Sequence, residues 1–77
     1  MEIKKFISNF AAQFDETDEN VFQTDTQFKQ LEEWSSLIAL SVIAMVDEEY
    51  NIALKGDDIR NSQTIEDLFN AIKSNVI

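Results

Sequence analysis

The run from Leu37 to Val46, L-I-A-L-S-V-I-A-M-V, constrains this chain more than any other stretch. Ser41 is its one polar residue, so as a helix it is apolar almost all the way round. A helix apolar on every side is normally buried on every side. A chain of 77 residues cannot enclose one helix completely, because small domains leave much of their surface wet. Part of this helix must therefore stay exposed. Ala39, Ile43, Val46 and Tyr50 form one stripe at helical spacing, with Val42 beside it, and we assign that stripe to the core. Leu37, Ser41, Ala44 and Glu48 then lie on the far side, flanked by Ile38 and Met45. An exposed apolar strip of this kind usually marks a contact surface, and the flexible Met45 suits adaptable contacts.

Two serines precede the run. Ser35 is a good N-cap, whose side-chain oxygen can accept a backbone N–H of the first turn. Ser36 then falls in the first turn, with its hydroxyl beside the positive end of the helix dipole. That position suits a bound or covalently attached phosphate. The plainer reading is that the two serines only start a helix. The helix spans 36–50 and ends in Asp47-Glu48-Glu49, which oppose the dipole; an unfavourable placement points to recognition.

The remaining segments complete an all-α reading. With no Pro and one Gly, hairpin turns are poorly supplied and a helical bundle is favoured. Ile3, Phe6, Ile7, Phe10 and Phe14 recur at steps of three and four, which predicts a helix over 2–14 with one core face. A long connection follows. Val21 and Phe22 are expected to tuck under the bundle, and a helical turn is expected over Asp25 to Leu31. Phe22, Phe28, Leu31 and Trp34 anchor that connection, and long loops pinned this way are usually functional. Its acidic start, D-E-T-D-E-N, lacks the glycine and terminal Glu of a calcium loop, so no metal site is assigned. Ile52 and Leu54 mark an extended apolar linker, and a short helix over 56–61 carries Ile59. The last helix, 64–75, opens with Thr64 as cap and Asp67 reaching back. Ile65, Leu68, Phe69 and Ile72 give its buried face, and Val76 extends it. The whole is one domain, 1–77, of three main helices and a short third one.

Charge and missing residue types narrow the function. A net charge of -9 disfavours nucleic acid and favours partners with basic surfaces. The chain has no Cys, which removes disulfides and thiolate metal sites. It has no His either, and no base stands near the serines, which argues against nucleophilic catalysis and against an enzyme. No apolar run reaches membrane-spanning length and no signal peptide is recognised, so no membrane insertion, a cytoplasmic location and a monomer are expected.

Ser36-Leu37 opening an apolar helix that closes in Asp47-Glu48-Glu49-Tyr50, with Phe28 upstream and Thr64-Ile65 opening the last helix, resembles the acyl carrier proteins. The pattern runs without a gap from Phe28 to Ile72. The resemblance implies a four-helix bundle of acyl-carrier type. It implies that Ser36 receives 4′-phosphopantetheine from coenzyme A, with Ser35 and Leu37 flanking the attachment. The thiol of that arm would hold acyl or aminoacyl groups for fatty-acid, polyketide or related biosynthesis. The implied partners are a phosphopantetheinyl transferase, an acyl-loading ligase or acyltransferase, and ketosynthase-type or other acyl-using enzymes. Leu37, Ile38, Ser41, Met45 and Glu48 would form their docking face. Phe6, Phe28, Ala39, Ile43, Val46, Ile59 and Leu68 would line a cavity for an acyl tail. The segment around the third helix would help to gate that cavity, and its few apolar residues permit low local stability.

This chain also departs from the family pattern. Ser35 replaces the Asp before the serine, Glu33 replaces a Gly, and Ile38 and Ser41 replace acids. These departures lean away from the main fatty-acid carrier. A cofactor-free helical interaction module is the alternative reading. The loss of acids at 38 and 41 predicts that partner affinity declines only gently with added salt, because exposed charge pairs are what salt screens. A titration of partner binding against ionic strength checks this, and a steep loss would contradict it.

Overall fold

The computed structural model describes residues 2–75, and Val76 lies outside them. Those residues form a small all-helical bundle: α1 (Ile3–Ala11), α2 (Ser36–Tyr50), α3 (Gly56–Arg60) and α4 (Ile65–Ser74). Two short 3₁₀ turns, Glu19–Val21 and Phe28–Gln30, punctuate the connection between α1 and α2. α1 packs on both α2 and α4, and α3 lies against α4. Among the described residues no helix is long and apolar enough to cross a membrane.

α1 is shorter than its periodicity predicts. After Ala11 the bonds tighten: the Gln13 N–H reaches the Phe10 carbonyl and the Phe14 N–H the Ala11 carbonyl, at 3.1 and 3.0 Å. Such i→i+3 bonds are how a helix end closes. Phe14 is still buried, but from the turn rather than from the helix. The helical turn expected over Asp25–Leu31 is only the 3₁₀ turn at Phe28–Gln30. Phe22 is buried as expected, whereas Val21 is exposed.

The face that α2 buries also differs from the expected one. Ile38, Val42, Met45 and Val46 are buried, while Ala39, Ile43 and Tyr50 are partly buried at its edge. At about 3.6 residues per turn the core face is rotated by roughly a quarter of a turn toward Ile38 and Met45. Apolar residues surround α2, so its own pattern offers little contrast. The elements packed around it choose the face.

Helix ends follow local chemistry. Asn51 closes α2 in the left-handed region, φ 57°, a conformation Asn tolerates. The Thr64 Oγ1 accepts the Asp67 N–H at 3.1 Å, and Asp67 Oδ2 accepts the Thr64 N–H at 3.2 Å, which completes a capping box. The loop before α2 supplies two further partners. The carbonyls of Thr26 and Thr24 accept the N–H groups of Ile65 and Glu66, at 3.1 and 3.0 Å. Lys29 Nζ donates to the Arg60 carbonyl at 2.9 Å, which ties the same loop to the end of α3.

The core is aromatic. Phe10 is fully buried and its ring lies 5.3–6.1 Å, centroid to centroid, from those of Phe6, Phe14, Phe22 and Phe28. Pairs at such distances and tilts add to the value of plain burial. Phe10→Ala should therefore cost about 3–5 kcal/mol, the range for a buried Phe. Leu40→Ala, at an exposed position, should change stability by less than about 0.5 kcal/mol. Urea denaturation measures both; a loss below about 1 kcal/mol for Phe10→Ala would show that the hub is not where stability resides.

Candidate functional site

The site grows from four consecutive residues at the entrance to α2. Glu33 and Trp34 fix the chain, Ser35 caps the helix, and Ser36 begins it. Ser35 has extended backbone (φ -157°, ψ 172°), and its Oγ accepts the Ile38 N–H at 3.2 Å. Its carbonyl accepts the Ala39 N–H at 2.9 Å. Ser35 is thus the cap that its residue type predicts. Ser36 is the first residue of the helix and is exposed. The first turn of α2 holds no acidic residue, so nothing within it offsets the positive end of the dipole.

Trp34 is a partly buried anchor. Its ring stacks near Phe14, with centroids 6.3 Å apart, and meets Phe28 edge-on at 5.0 Å. Glu33, the residue before it, does something its sequence context does not advertise. Its carboxylate accepts three backbone N–H groups from the loop after α1. Oε2 takes Asp15 at 2.7 Å, and Oε1 takes Glu16 at 3.0 Å and Thr17 at 2.9 Å. The Thr17 hydroxyl donates to the same Oε1 at 2.7 Å. Four donors of the acidic D-E-T turn thus converge on one carboxylate.

Downstream of Ser36 the exposed face of α2 carries Leu37 at 73% and Leu40 at 63% exposure. Ala44, Asp47, Glu48 and Glu49 are also exposed, and Ser41 is partly so. Two residues expected on this face are not there. Ile38 and Met45 are buried, at 9% and 6% exposure, because the core face is rotated toward them. Leu40 takes their place, and the expected pattern did not include it. Its signal was present at three residues from Leu37 and four from Ala44, but an all-apolar helix hides which such series faces water.

The residues expected to line an acyl cavity are packed together in the core. Phe6, Phe28, Val46 and Leu68 are fully buried and Ile59 nearly so, while Ala39 and Ile43 are partly exposed. Surface hollows among the described residues are bordered instead by Gln27, Lys29, Gln30 and Gln63, by α1 with Phe14, Thr17 and Glu19, and by Glu16, Thr17, Glu32 and Glu33. No group of three or more side chains suited to a metal occurs among the described residues.

Comparisons with protein families, curated proteins and solved structures give no match to this chain.

The Thr17 hydroxyl bond, with the three backbone N–H bonds, holds the Glu33 carboxyl below its ordinary value of 4.5, against a smaller opposing effect of partial burial. A depressed carboxyl stabilises the fold above its unfolded value and loses that contribution as pH falls through the lowered folded value. Asp67, held below 3.8 by the Thr64 and Gln63 N–H groups, acts in the same direction. The wild type should therefore weaken as pH falls below about 5, and Glu33→Gln should flatten that decline, leaving the Asp67 part. Urea midpoints from neutral to acid pH test this; parallel curves for the two proteins would contradict it.

Proposed function

We propose that this protein is a carrier of the acyl carrier type, with Ser36 as the attachment point of 4′-phosphopantetheine. The observation that supports it most is an exposed primary hydroxyl in the first turn of a fifteen-residue helix, at the head of an exposed Leu37–Leu40–Ala44 strip. The fit is chemical as well as steric. The helix start favours a phosphodiester, and the exposure of Ser36 and Leu37 leaves room for a large enzyme.

In the attachment step Ser36 Oγ attacks the pantetheine-bearing phosphorus of coenzyme A. A new Oγ–P bond forms, the pyrophosphate P–O bond breaks, adenosine 3′,5′-bisphosphate leaves, and the hydroxyl proton goes to a base of the transferase. The bound arm supplies a thiol that carries acyl or aminoacyl groups as thioesters. Everything else belongs to the chain. Trp34 and Ser35 hold Ser36 in place. Leu37, Leu40 and Ala44 give partner enzymes an apolar surface, bordered by Asp47, Glu48 and Glu49, which complement basic partners. Ile38 and Met45, the two residues expected on this face, are buried in the core instead. An acyl tail among Phe28, Val46, Ile59 and Leu68 would enter by parting core side chains.

The exposed leucine strip also suits a cofactor-free interaction module, in which Ser36 only begins the helix. One experiment separates the readings. The protein is incubated with coenzyme A and a phosphopantetheinyl transferase of broad specificity, and its intact mass is measured. The carrier reading expects a gain of one phosphopantetheine in the wild type and none in Ser36→Ala. No gain, or a gain carried by Ser35, contradicts it.

A further inference from the structure

We propose that Glu33 is a positioning residue for Ser36: its carboxylate ties the Asp15–Thr17 loop to the entrance of α2 and so fixes the direction in which the Ser36 hydroxyl is presented. The inference rests on the carrier reading and deepens it.

Three observations carry it. Glu33 stands three residues before Ser36, with only Trp34 and the capping Ser35 between them. Its four accepted bonds span 2.7–3.0 Å and reach residues 16 to 18 positions away, so they join two parts of the chain that sequence keeps apart. Trp34 packs on Phe14 and Phe28, and Phe14 directly precedes the clamped Asp15. Polar and aromatic ties therefore both hold one short segment, immediately before the helix begins.

The surroundings show what this carboxylate is for. Glu16 and Glu32 border the same hollow, and Asp15, Asp18 and Glu19 lie in the clamped loop. All these neighbours are acidic, and among the described residues no basic side chain forms an ion pair with Glu33. N–H and O–H donors hold it against that like charge. Asp15 and Glu16 are exposed while Thr17 is half-buried, so water can replace most of those bonds, and breaking them should leave the chain folded though less stable. It should cost geometry. Reactions that need a near-attack arrangement are sensitive to small displacements of the reacting atom.

Charge and position predict opposite outcomes for Glu33→Gln. Removing a negative charge near an incoming pyrophosphate should by itself speed transfer. Gln offers one acceptor oxygen and turns an NH₂ toward N–H donors, so the clamp cannot persist intact. If positioning dominates, transfer slows.

The test is steady-state transfer of phosphopantetheine from coenzyme A to the full chain, comparing wild type, Glu33→Gln and Thr17→Val, with far-UV circular dichroism as the check of fold. Thr17→Val removes the hydroxyl bond and leaves the Glu33 charge. We expect kcat to fall about tenfold in Glu33→Gln and by less in Thr17→Val, with KM, which reads docking on the Leu37–Leu40 strip, unchanged. Wild-type kcat and KM in a folded Glu33→Gln would overturn the proposal, as would a faster reaction. Should Glu33→Gln fail to fold, Thr17→Val decides: a lowered kcat supports the clamp and an unchanged one overturns it. A wild type that accepts no phosphopantetheine on Ser36 defeats the carrier reading itself, an outcome distinct from a wild type that reacts while the variants match it.

Discussion

Phe10 is the contact on which the other parts of the structure depend. It projects from α1 and meets four rings: Phe6 on its own helix, Phe14 in the turn after it, and Phe22 and Phe28 in the loop. Phe6 continues the series to Phe69 of α4 and Tyr50 of α2, with centroids 5.5 and 6.2 Å away. Phe14 and Phe28 carry it the other way to Trp34. All eight aromatic residues thus join in one network, from the last helix to the entrance of α2. This is why a connection of 24 residues between α1 and α2 can be ordered without regular structure. Its backbone has little helix or sheet to satisfy it, and buried rings hold it down instead.

Magnitudes rank the contributions. A buried Phe contributes a few kcal/mol, a large part of the stability of any small domain. The ion pair between Arg60 and Asp57 joins side chains 76% and 75% exposed, and such pairs contribute little. The excess of acids, fifteen against six bases, works against compactness, so charge does not hold this fold together. Polar groups act locally. The Thr64–Asp67 box starts α4, Ser35 starts α2, and Glu33 gathers the D-E-T turn. Burial supplies the stability and these bonds set the geometry at the helix entrances.

How much of this was legible in the sequence varied with the range of the interaction. The start of α2 and the capping of α4 follow from contacts three or four residues apart, and Ser35, Thr64 and Asp67 reveal them. The existence of the three longer helices follows from apolar periodicity and the scarcity of Gly and Pro, and the short third one from Gly56 followed by Asp57, Asp58, Ile59 and Arg60. The buried face of α2 was not legible, because a helix without polar contrast leaves the choice to its neighbours, and so Ile38 and Met45 changed places with Leu40. The end of α1 was missed because Phe14 keeps the helical spacing after the helix has stopped. The Glu33 clamp was the least legible feature. It joins a side chain to backbone groups across the loop, and such a bond has no period. The available signal was indirect: a turn rich in acids still has N–H groups that need acceptors.

On the proposed carrier reading, the aromatic network, the Glu33 clamp and the Ser35 cap together prepare the place of Ser36. Peptide mapping by mass spectrometry of the protein isolated from its own cells tests that claim most directly. The account predicts that the peptide containing Ser36 carries phosphopantetheine, wholly or in part, and that fragmentation localises it to the Ser36 oxygen. Finding that peptide only in unmodified form, in cells whose other carriers are fully loaded, would contradict it.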